Sequence, residues 1–456
     1  MKVISIGKGQ ILVEILLVIF MFSLALLIVY QIVRSNIYLS ENYFYYKKAL
    51  DLGNNEFERL RDLAKTDFFQ ITNTTTQKDI FSIRRDVIDL DQYTKKVTLN
   101  ISWNLNKPSS LSLTAYLVDY KHIPVDNGLG GANGGGGSGL AGDWSHPTTL
   151  SSIDLGPGNA GTDVNVKFNT VYISSVASDY KKPDLFIIDV TNPSSPSIKS
   201  SINTGKGANS LSINGNYVFL ANNDTSNQLQ IVDISNEFSP RLISSTTLPS
   251  NSSIPLSIFA FKNYVVITTA NSSSGNEVFI YDVSQPQNPQ YISSLNFDTD
   301  INDSFVLRDR LYLAGDKIYI YNIATPTAPS LLLSGLPLPN NEKIYSIFPV
   351  SYNLLLAGGN SKLYFIDTSD LNHPIIISSY NAYGQINDIY ARENLAFLAT
   401  SNSNNEFQIV NYSSLNNPIL YSSYNFPQNA TGIDYRNNLI FVSVRSNDAL
   451  RIITSQ

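Results

Sequence analysis

Residues 185–201 read LFIIDVTNPSSPSIKSS, and this pattern returns along the C-terminal part of the chain. The later copies read LQIVDISNEFSPRLISS, VFIYDVSQPQNPQYISS, IYIYNIATPTAPSLLLS, LYFIDTSDLNHPIIISS and FQIVNYSSLNNPILYSS. Their anchor residues, spaced 40–49 positions apart, are Asp189, Asp233, Asp282, Asn322, Asp367 and Asn411. Each period holds two further apolar runs, so four short strands recur per period. That repeat is typical of a β-propeller blade.

A seventh, partial copy, LRIIT, ends at Thr454 and lacks the last strand of the pattern. A segment of the missing form, Pro147–Ser152, stands near the start of the repeats. We therefore predict a seven-bladed β-propeller over residues 144–456, with residues 147–152 completing the last blade, because closure leaves no unpaired blade edge. The repeat resembles the LVIVP-type repeat of bacterial surface propellers, a likeness that implies a fold rather than a function.

The recurring anchor Asp or Asn closes the third strand of each blade, just before a turn. A carboxylate or amide oxygen at such a position accepts backbone N–H bonds and stabilises the turn. A residue that occurs once per blade cannot be a unique active site. We interpret the anchors as structural.

Residues 127–142 read NGLGGANGGGGSGLAG, a composition that forms no core, and we assign a flexible linker to residues 127–143. Before it, apolar or small residues recur at helical spacing from Leu39 to Ala64. Strands are predicted at Ile80–Ile88 and at two alternating runs, residues 97–105 and 111–117. Residues 34–126 are thus expected to form a helix packed on a small antiparallel sheet.

Residues 8–30 read KGQILVEILLVIFMFSLALLIVY, an apolar run interrupted only by Glu14. Residues 11–33 are long enough to cross a membrane, and a carboxylate inside such a segment is costly unless it has a partner. The short basic stretch before it lacks the apolar core and cleavage site of a secretory signal peptide. A plain signal anchor with a stray Glu is the alternative interpretation.

This stretch resembles the type IV prepilin family. The resemblance implies a leader at residues 1–9, cleavage between Gly9 and Gln10, N-methylation of Gln10, and a role for Glu14 in assembly. Residues 10–33 would be the transmembrane half of a long pilin helix. The expected fold class is then a multidomain chain: a long N-terminal transmembrane pilin α-helix with a small antiparallel sheet, followed by an all-β propeller.

The start of each innermost propeller strand carries polar residues that are predicted to line one mouth of the central channel. The candidates for binding an ion or ligand there are Asp163, Asn209, Asn302, Asp303, Asn387 and Asp388. Carboxylate and amide oxygens around one axis suit Ca²⁺, so calcium is the one possible cofactor. A solvated rim without a ligand is the alternative.

Composition narrows the function classes. The chain has no cysteine and three histidines, His122, His146 and His373, which lie in different contexts, so Cys or multi-His chemistry is not expected. Its net charge of −6 argues against nucleic acid as a partner. Nucleotide-binding and hydrolase motifs are missing, so the chain is predicted not to be an enzyme. Turn tyrosines that could serve recognition are Tyr180, Tyr380, Tyr383 and Tyr424.

The sequence thus predicts a minor or tip subunit of a type IV pilus-type filament that displays a propeller for adhesion or protein interaction. Expected partners are other pilin subunits, prepilin peptidase, the cytoplasmic membrane before assembly, and a surface or cell receptor. The expected location is the cytoplasmic membrane and then an extracellular filament. The competing hypothesis is a membrane-anchored exported enzyme or ligand sensor, which ionisable channel residues with perturbed pKa values would favour.

Overall fold

The computed structural model describes residues 44–64, 68–91, 94–104, 108–118, 140, 142–177, 179–249, 253–272 and 275–456. These residues form two compact units. Among the described residues, the first unit holds those of 44–89 and 95–117, and the second holds 90, 91, 94 and those from 118 to 456.

The first unit is one α-helix with one sheet. The helix, α1, covers residues 44–64, and a 3-10 turn follows at Phe68–Gln70. The sheet is antiparallel in the order of the chain: β1 (Thr74–Lys78), β2 (Phe81–Asp91), β3 (Thr94–Asn104) and β4 (Pro108–Val118). The three predicted strands correspond to β2, β3 and β4, whereas β1 is exposed along its length and carries no apolar pattern to predict it.

The buried face of α1 explains the helical spacing in the sequence. Its buried positions are Ala49, Gly53, Phe57, Leu60 and Ala64. Apolar residues of β3 complete the same cores: Val97, Leu99, Ile101 and Trp103 are all buried. The helix lies close to the sheet at Gly53, where an added Cβ would lie 2.4 Å from Leu113 Cδ1 and 3.1 Å from Ile101 Cδ1.

The predicted fold class is wrong for the N-terminal part of the chain. The described residues are nearly all β, in eight four-stranded sheets, with α1 as their one α-helix. The solvent-facing side of α1 is charged, with ion pairs between Glu56 and Arg59 and between Glu58 and Arg61. It is therefore an amphipathic helix that packs one face on a sheet.

No helix in the described part of the chain is long and apolar enough to cross a membrane, a finding that overturns the predicted location in a membrane and then a filament. The expected leader (residues 1–9), the expected spanning segment (10–33), and Gly9, Gln10 and Glu14 lie outside the described residues.

The second unit is built from seven antiparallel four-stranded sheets among its described residues. The first six blades, in chain order, are β6–β9 (Asn159–Lys167, Thr170–Ala177, Leu185–Asp189, Ser197–Ile202), β10–β13 (Ala208–Asn214, Tyr217–Asn222, Leu229–Asp233, Arg241–Thr246), β14–β17 (Pro255–Phe261, Tyr264–Thr269, Val278–Asp282, Gln290–Leu295), β18–β21 (Asp303–Leu307, Arg310–Ala314, Ile318–Asn322, Ser330–Leu336), β22–β25 (Ser346–Pro349, Leu354–Gly358, Lys362–Asp367, Ile375–Asn381) and β26–β29 (Ile386–Arg392, Leu395–Thr400, Phe407–Asn411, Ile419–Tyr424). A 3-10 turn, Pro339–Asn341, precedes the fifth blade.

The last blade joins the two ends of the unit. It consists of β30 (Ala430–Arg436), β31 (Leu439–Val444), β32 (Asp448–Thr454) and, as its outer strand, β5 (Thr148–Asp154). β5 pairs antiparallel with β32, from Thr148 opposite Thr454 to Asp154 opposite Asp448. The innermost strands contact one another in a closed cycle, because β30 touches β6 as well as β26. The sheets therefore form a closed seven-bladed ring.

The structural interpretation of the anchor residues is confirmed. In each of the six blades the anchor Oδ1 accepts the backbone N–H of the residue two positions later, at 2.8–2.9 Å. Asn322 and Asn411 do this as well as the Asp residues, because only an acceptor oxygen is needed. The anchors hold the turn between the third and fourth strands.

The outer strands share a β-bulge at an equivalent position. In every blade the pairing of the fourth strand with the third shifts by one residue, just before the Ser pair or its equivalent. The extra residues are Leu150, Lys199, Ile243, Ile292, Leu332, Ile377 and Tyr421. A bulge bends an edge strand and interrupts its row of free N–H and C=O groups, which discourages pairing with another molecule.

Closure by β5 generates a first prediction. A propeller that begins at Leu155 lacks β5 and exposes the edge of β32, whereas one that begins at Asp143 keeps the strand. We expect the shorter protein to lose several kcal/mol of stability and to aggregate, in thermal melts and light scattering. Removing Gly134–Gly137 from the full chain is the control, since these residues precede the closing strand. Equal melting temperatures and equal solubility of the two propellers would contradict this role.

The close approach at Gly53 generates a second prediction. Gly53→Leu should destabilise the first unit by about 1–3 kcal/mol, because the new side chain overlaps Leu113 and Ile101 of the sheet. Asn54→Ala is the matched control on the exposed side of α1 and should be neutral or slightly stabilising. Hydrogen exchange of the β3 amides reports on this unit alone. Unchanged exchange in Gly53→Leu would show that the sheet yields without cost.

Candidate functional site

The central channel is surrounded by the innermost strands β6, β10, β14, β18, β22, β26 and β30. Neighbouring innermost strands run in the same direction. A residue further along one strand contacts a residue further along the next strand. Thr162 reaches Ala208, for example, and Asp163 reaches Leu211. The turns that join first and second strands therefore all lie at one end of the ring, which we call the first-turn mouth.

Four aspartates of these strands each bridge to the next blade. In each, one carboxylate oxygen accepts the N–H of the following residue at 2.7 Å and the other accepts an N–H from the neighbouring innermost strand. The bridges run from Asp163 to Leu211 (2.9 Å), from Asp303 to Ile347 (2.9 Å), from Asp388 to Ile433 (2.7 Å) and from Asp434 to Val166 (2.7 Å). The last of these joins the seventh blade to the first.

A second layer of side chains donates to carbonyl oxygens of the next blade. The amides of Asn209, Asn302 and Asn387 reach the carbonyls of Pro255, Ile344 and Ala430 at 2.6–2.8 Å. The hydroxyls of Thr162 and Thr431 reach those of Ala208 (2.6 Å) and Gly161 (3.1 Å).

Serine side chains also form hydrogen bonds across blade junctions. Ser212 Oγ accepts the N–H of Ala260, Ser257 donates to Asp303, and Ser346 donates to the carbonyl of Ile386, all at 3.0 Å. A side-chain hydrogen bond thus crosses each of the seven blade junctions. We call this set the interblade belt.

Every residue that the sequence predicted for a channel-mouth site belongs to the interblade belt. The predicted residues lie within the innermost strands, except Asn302, which directly precedes one, and their polar atoms point to the adjacent blade. The described residues contain no group of three His, Cys, Asp or Glu side chains that could hold a metal ion. The hydrogen bonds of the belt account for the positions of these side chains, and calcium binding stays a prediction.

Burial in the channel wall raises the pKa of each belt aspartate, to about 6 for Asp163 and about 7 for Asp303 and Asp434. The pKa of Asp388 is raised well above its ordinary value, first by burial and then by the charges of Asp163 and Asp303. The hydrogen bonds from backbone N–H groups act in the opposite direction, because they favour the charged form. Desolvation is the larger effect.

Sequence reasoning missed Asp434. In the seventh blade Gly432 stands where Asp163 and Asp388 stand in their blades, and the carboxylate comes two residues later. Two positions along a strand return a side chain to the same face, so Asp434 can still bridge to the next blade. The period-two spacing was the signal that could have found it.

Aromatic rings line the same strands beyond the belt. Successive ring centroids of Phe259, Phe305, Phe348 and Tyr390 lie 4.8, 5.3 and 5.5 Å apart, one ring from each of four blades, and Tyr435 follows at 5.5 Å. These rings fill the wall of the channel with apolar surface in blades three to seven.

The first-turn mouth carries most of its charge as cations. The cationic residues of its seven turns are Lys167, Lys262, Arg308, Arg310, Arg392 and Arg436, against the carboxylates of Asp309 and Glu393. We call this set the basic mouth. Three arginines stack on aromatic rings of the next blade. The Cζ atom of Arg310 lies 4.3 Å from the ring centroid of Tyr352. The corresponding distances are 5.0 Å from Arg392 Cζ to Tyr435 and 5.6 Å from Arg436 Cζ to Phe168.

The predicted recognition tyrosines divide into two pairs. Tyr180 and Tyr383 are 68% and 77% exposed, in loops at the opposite end of the ring. Tyr380 and Tyr424 are partly buried, and their hydroxyls donate to Gln408 Oε1 (2.9 Å) and to the carbonyl of Pro147. Sequence reasoning missed Phe238, 74% exposed in the third turn of the second blade, because its copy of the repeat was considered only for its anchor.

Comparisons with known proteins agree with this architecture. Residues 158–204 and 205–247 match the LVIVD repeat family. The WD40 β-propeller domain of Doa1 is 12% identical and matches 69% of this chain and 98% of its own, with a TM-score of 0.51. Virginiamycin B lyase from Staphylococcus aureus is 15% identical and matches 68% of this chain and 99% of its own, also with a TM-score of 0.51.

A chain from the mitotic checkpoint complex is similar to 69% of this chain over 96% of its own length, at 12% identity and a TM-score of 0.53. No curated protein matches the chain. At these identities the likeness shows the fold alone: the second unit is a β-propeller with LVIVD repeats. The comparisons give no evidence for a type IV pilin N-terminal region.

The raised pKa values generate a third prediction. A carboxyl whose pKa is higher in the folded protein than the ordinary 3.8 stabilises the fold fully below that value, and this contribution disappears as the pH rises through the folded pKa. We therefore expect the melting temperature of the propeller to fall between about pH 4 and about pH 7. Asp163→Asn should flatten this slope and cost about 1–2 kcal/mol, because an amide offers one acceptor oxygen where two N–H groups need one each.

Asp282→Asn is the matched control for this measurement. Asp282 is a turn anchor, and Asn occupies the equivalent position in two other blades, so stability should change by less than about 0.5 kcal/mol. If Asp163→Asn kept the pH slope of the unmodified protein, the belt aspartates would not be its source.

Proposed function

We propose that this chain is a non-catalytic protein-interaction protein whose propeller binds a partner protein at an end of the ring. The observation that supports this most directly is that polar and exposed aromatic side chains lie in different parts of the ring. Polar groups of the channel wall are used to join blades, whereas the loop ends present large exposed aromatics, among them Tyr180, Phe238 and Tyr383. Exposed aromatic side chains are favoured at protein interfaces.

A protein fits this surface better than a nucleic acid. The chain is acidic, with a net charge of −6, so its overall field repels a long polyanion. The closed, bulged outer strands disfavour recognition through an added strand at the circumference. Binding is thus expected through loop side chains at the ends of the ring.

The competing hypothesis of an enzyme or ligand sensor has one observation in its favour. Ionisable residues with raised pKa values do line the channel, as that hypothesis requires. Each of these carboxylates, however, already accepts two backbone N–H bonds and joins two blades, so burial within the belt is a sufficient structural cause. We therefore place binding at the loop ends rather than in the channel.

The filament role expected from the N-terminal sequence is not part of this proposal. It depends on the prepilin resemblance of residues 8–30, which lie outside the described residues, and the comparisons do not support it.

Photo-crosslinking tests the proposal. A benzoylphenylalanine side chain introduced in place of Tyr383 or Phe238, at opposite ends of the ring, should form a defined adduct with another protein in the cells that make the chain. The same group in place of Leu331, which is 51% exposed on an outer strand, is the control for exposure without loop position. Adducts at neither end, or equal adducts at all three positions, would contradict a specific partner at the ends of the ring.

A further inference from the structure

The basic mouth is unusual within an acidic chain. Six cations and two carboxylates gather there from five blades, and they are separated along the chain by up to about 270 positions. Lys262 and Arg308 are exposed in the adjacent third and fourth blades, and Phe168, across the ring of turns in the first blade, is 39% exposed. Both carboxylates already accept hydrogen bonds: Asp309 from the hydroxyl of Tyr352 and Glu393 from the N–H of Leu140.

The tight first turns hold a residue in the left-handed conformation that a two-residue hairpin needs. Five first turns have a non-glycine residue in the left-handed conformation at the same position: Phe168 (φ 54°), Lys262 (φ 49°), Arg308 (φ 56°), Glu393 (φ 53°) and Asn437 (φ 50°), followed in the last turn by Asn438 (φ 61°). The second blade uses Gly215 (φ 58°) at this position, the residue that adopts it without strain. A bulky residue there costs about 1–2 kcal/mol.

The surroundings of the basic mouth restrict what can bind. Because strands within a blade are antiparallel, the turns between third and fourth strands lie at the same end, further from the axis. Their charged residues are mostly acidic: Asp189, Asp233, Glu237, Asp282, Asp367 and Asp370, with Arg241. A basic centre is therefore enclosed by an acidic collar. A long polyanion that crosses the face meets both, whereas a short acidic segment can contact the centre alone.

We propose that the basic mouth binds a short acidic segment of a partner polypeptide, with carboxylates on Lys262 and Arg308 and an apolar side chain on Phe168. This inference rests on the proposed function and adds the chemistry of the partner and the end of the ring that it contacts. Charge complementarity of this kind accelerates association and selects the partner, and it weakens as salt screens the charges.

The test uses the full-length chain and a fluorescently labelled peptide of six glutamates, followed by fluorescence anisotropy. Binding should be measurable at about 0.05 M salt and should weaken at about 0.3 M. The double variant Lys262→Glu with Arg308→Glu should lower the affinity about tenfold or more, because both side chains are exposed at the mouth. A matching peptide of six lysines should not bind at this site.

The control variant changes the charge of the chain by the same amount at the opposite end. Lys181 lies between the second and third strands of the first blade, and Lys343 precedes the fifth blade. Lys181→Glu with Lys343→Glu should change peptide affinity by less than about twofold. Equal losses in both double variants would mean that net charge alone attracts the peptide, and would overturn the proposal.

Two further outcomes would also overturn it: no binding of the glutamate peptide, or tighter binding of oligothymidine that the mouth variant abolishes, which would make this a nucleic-acid site. The proposed function is judged separately by crosslinking. A protein adduct at Tyr383, combined with unchanged peptide affinity in the mouth variant, would leave the interaction role standing and move the binding surface to the other end.

Discussion

Hydrogen bonds across the blade junctions are the interaction on which the rest of the propeller depends. Each blade is a separate antiparallel sheet, so no backbone ladder joins a blade to the next. Apolar faces pack between blades, but such packing is not directional. Asp163, Asp303, Asp388 and Asp434 supply the directional element, because each fixes an N–H of the neighbouring strand at 2.7–2.9 Å. The closing strand β5 then ties both ends of the ring to one sheet.

This constraint separates structural from functional polar residues. A carboxylate that faces a channel looks like a ligand site, yet here its oxygens are occupied by the protein itself, and burial raises its pKa. The residues left for recognition lie at the turns, where side chains project beyond the last ladder bond. Lys262 and Arg308 are exposed at such turns.

The circumference is adapted for the opposite purpose. Seven outer strands would offer seven edges to other molecules, and several carry exposed apolar side chains such as Leu331 and Ile375. A bulge at the same position in every blade interrupts each edge. In a chain without cysteine, closure of the ring and protection of its edges take the place of covalent cross-links.

The sequence alone determined the repeat, the strands of each blade and the role of the anchors. These are local patterns: an Asp at the end of a strand bonds to the N–H two residues later whatever the rest of the chain does. Helical spacing likewise placed the buried face of α1, although an apolar run before it led to a fold class that the described residues do not support. Only the tertiary structure decided what Asp163 and Asp388 do, and only it brought Lys167, Lys262 and Arg436 to one mouth. The reason is geometric, because ring closure sets which face of an innermost strand meets the next blade and which distant turns become neighbours.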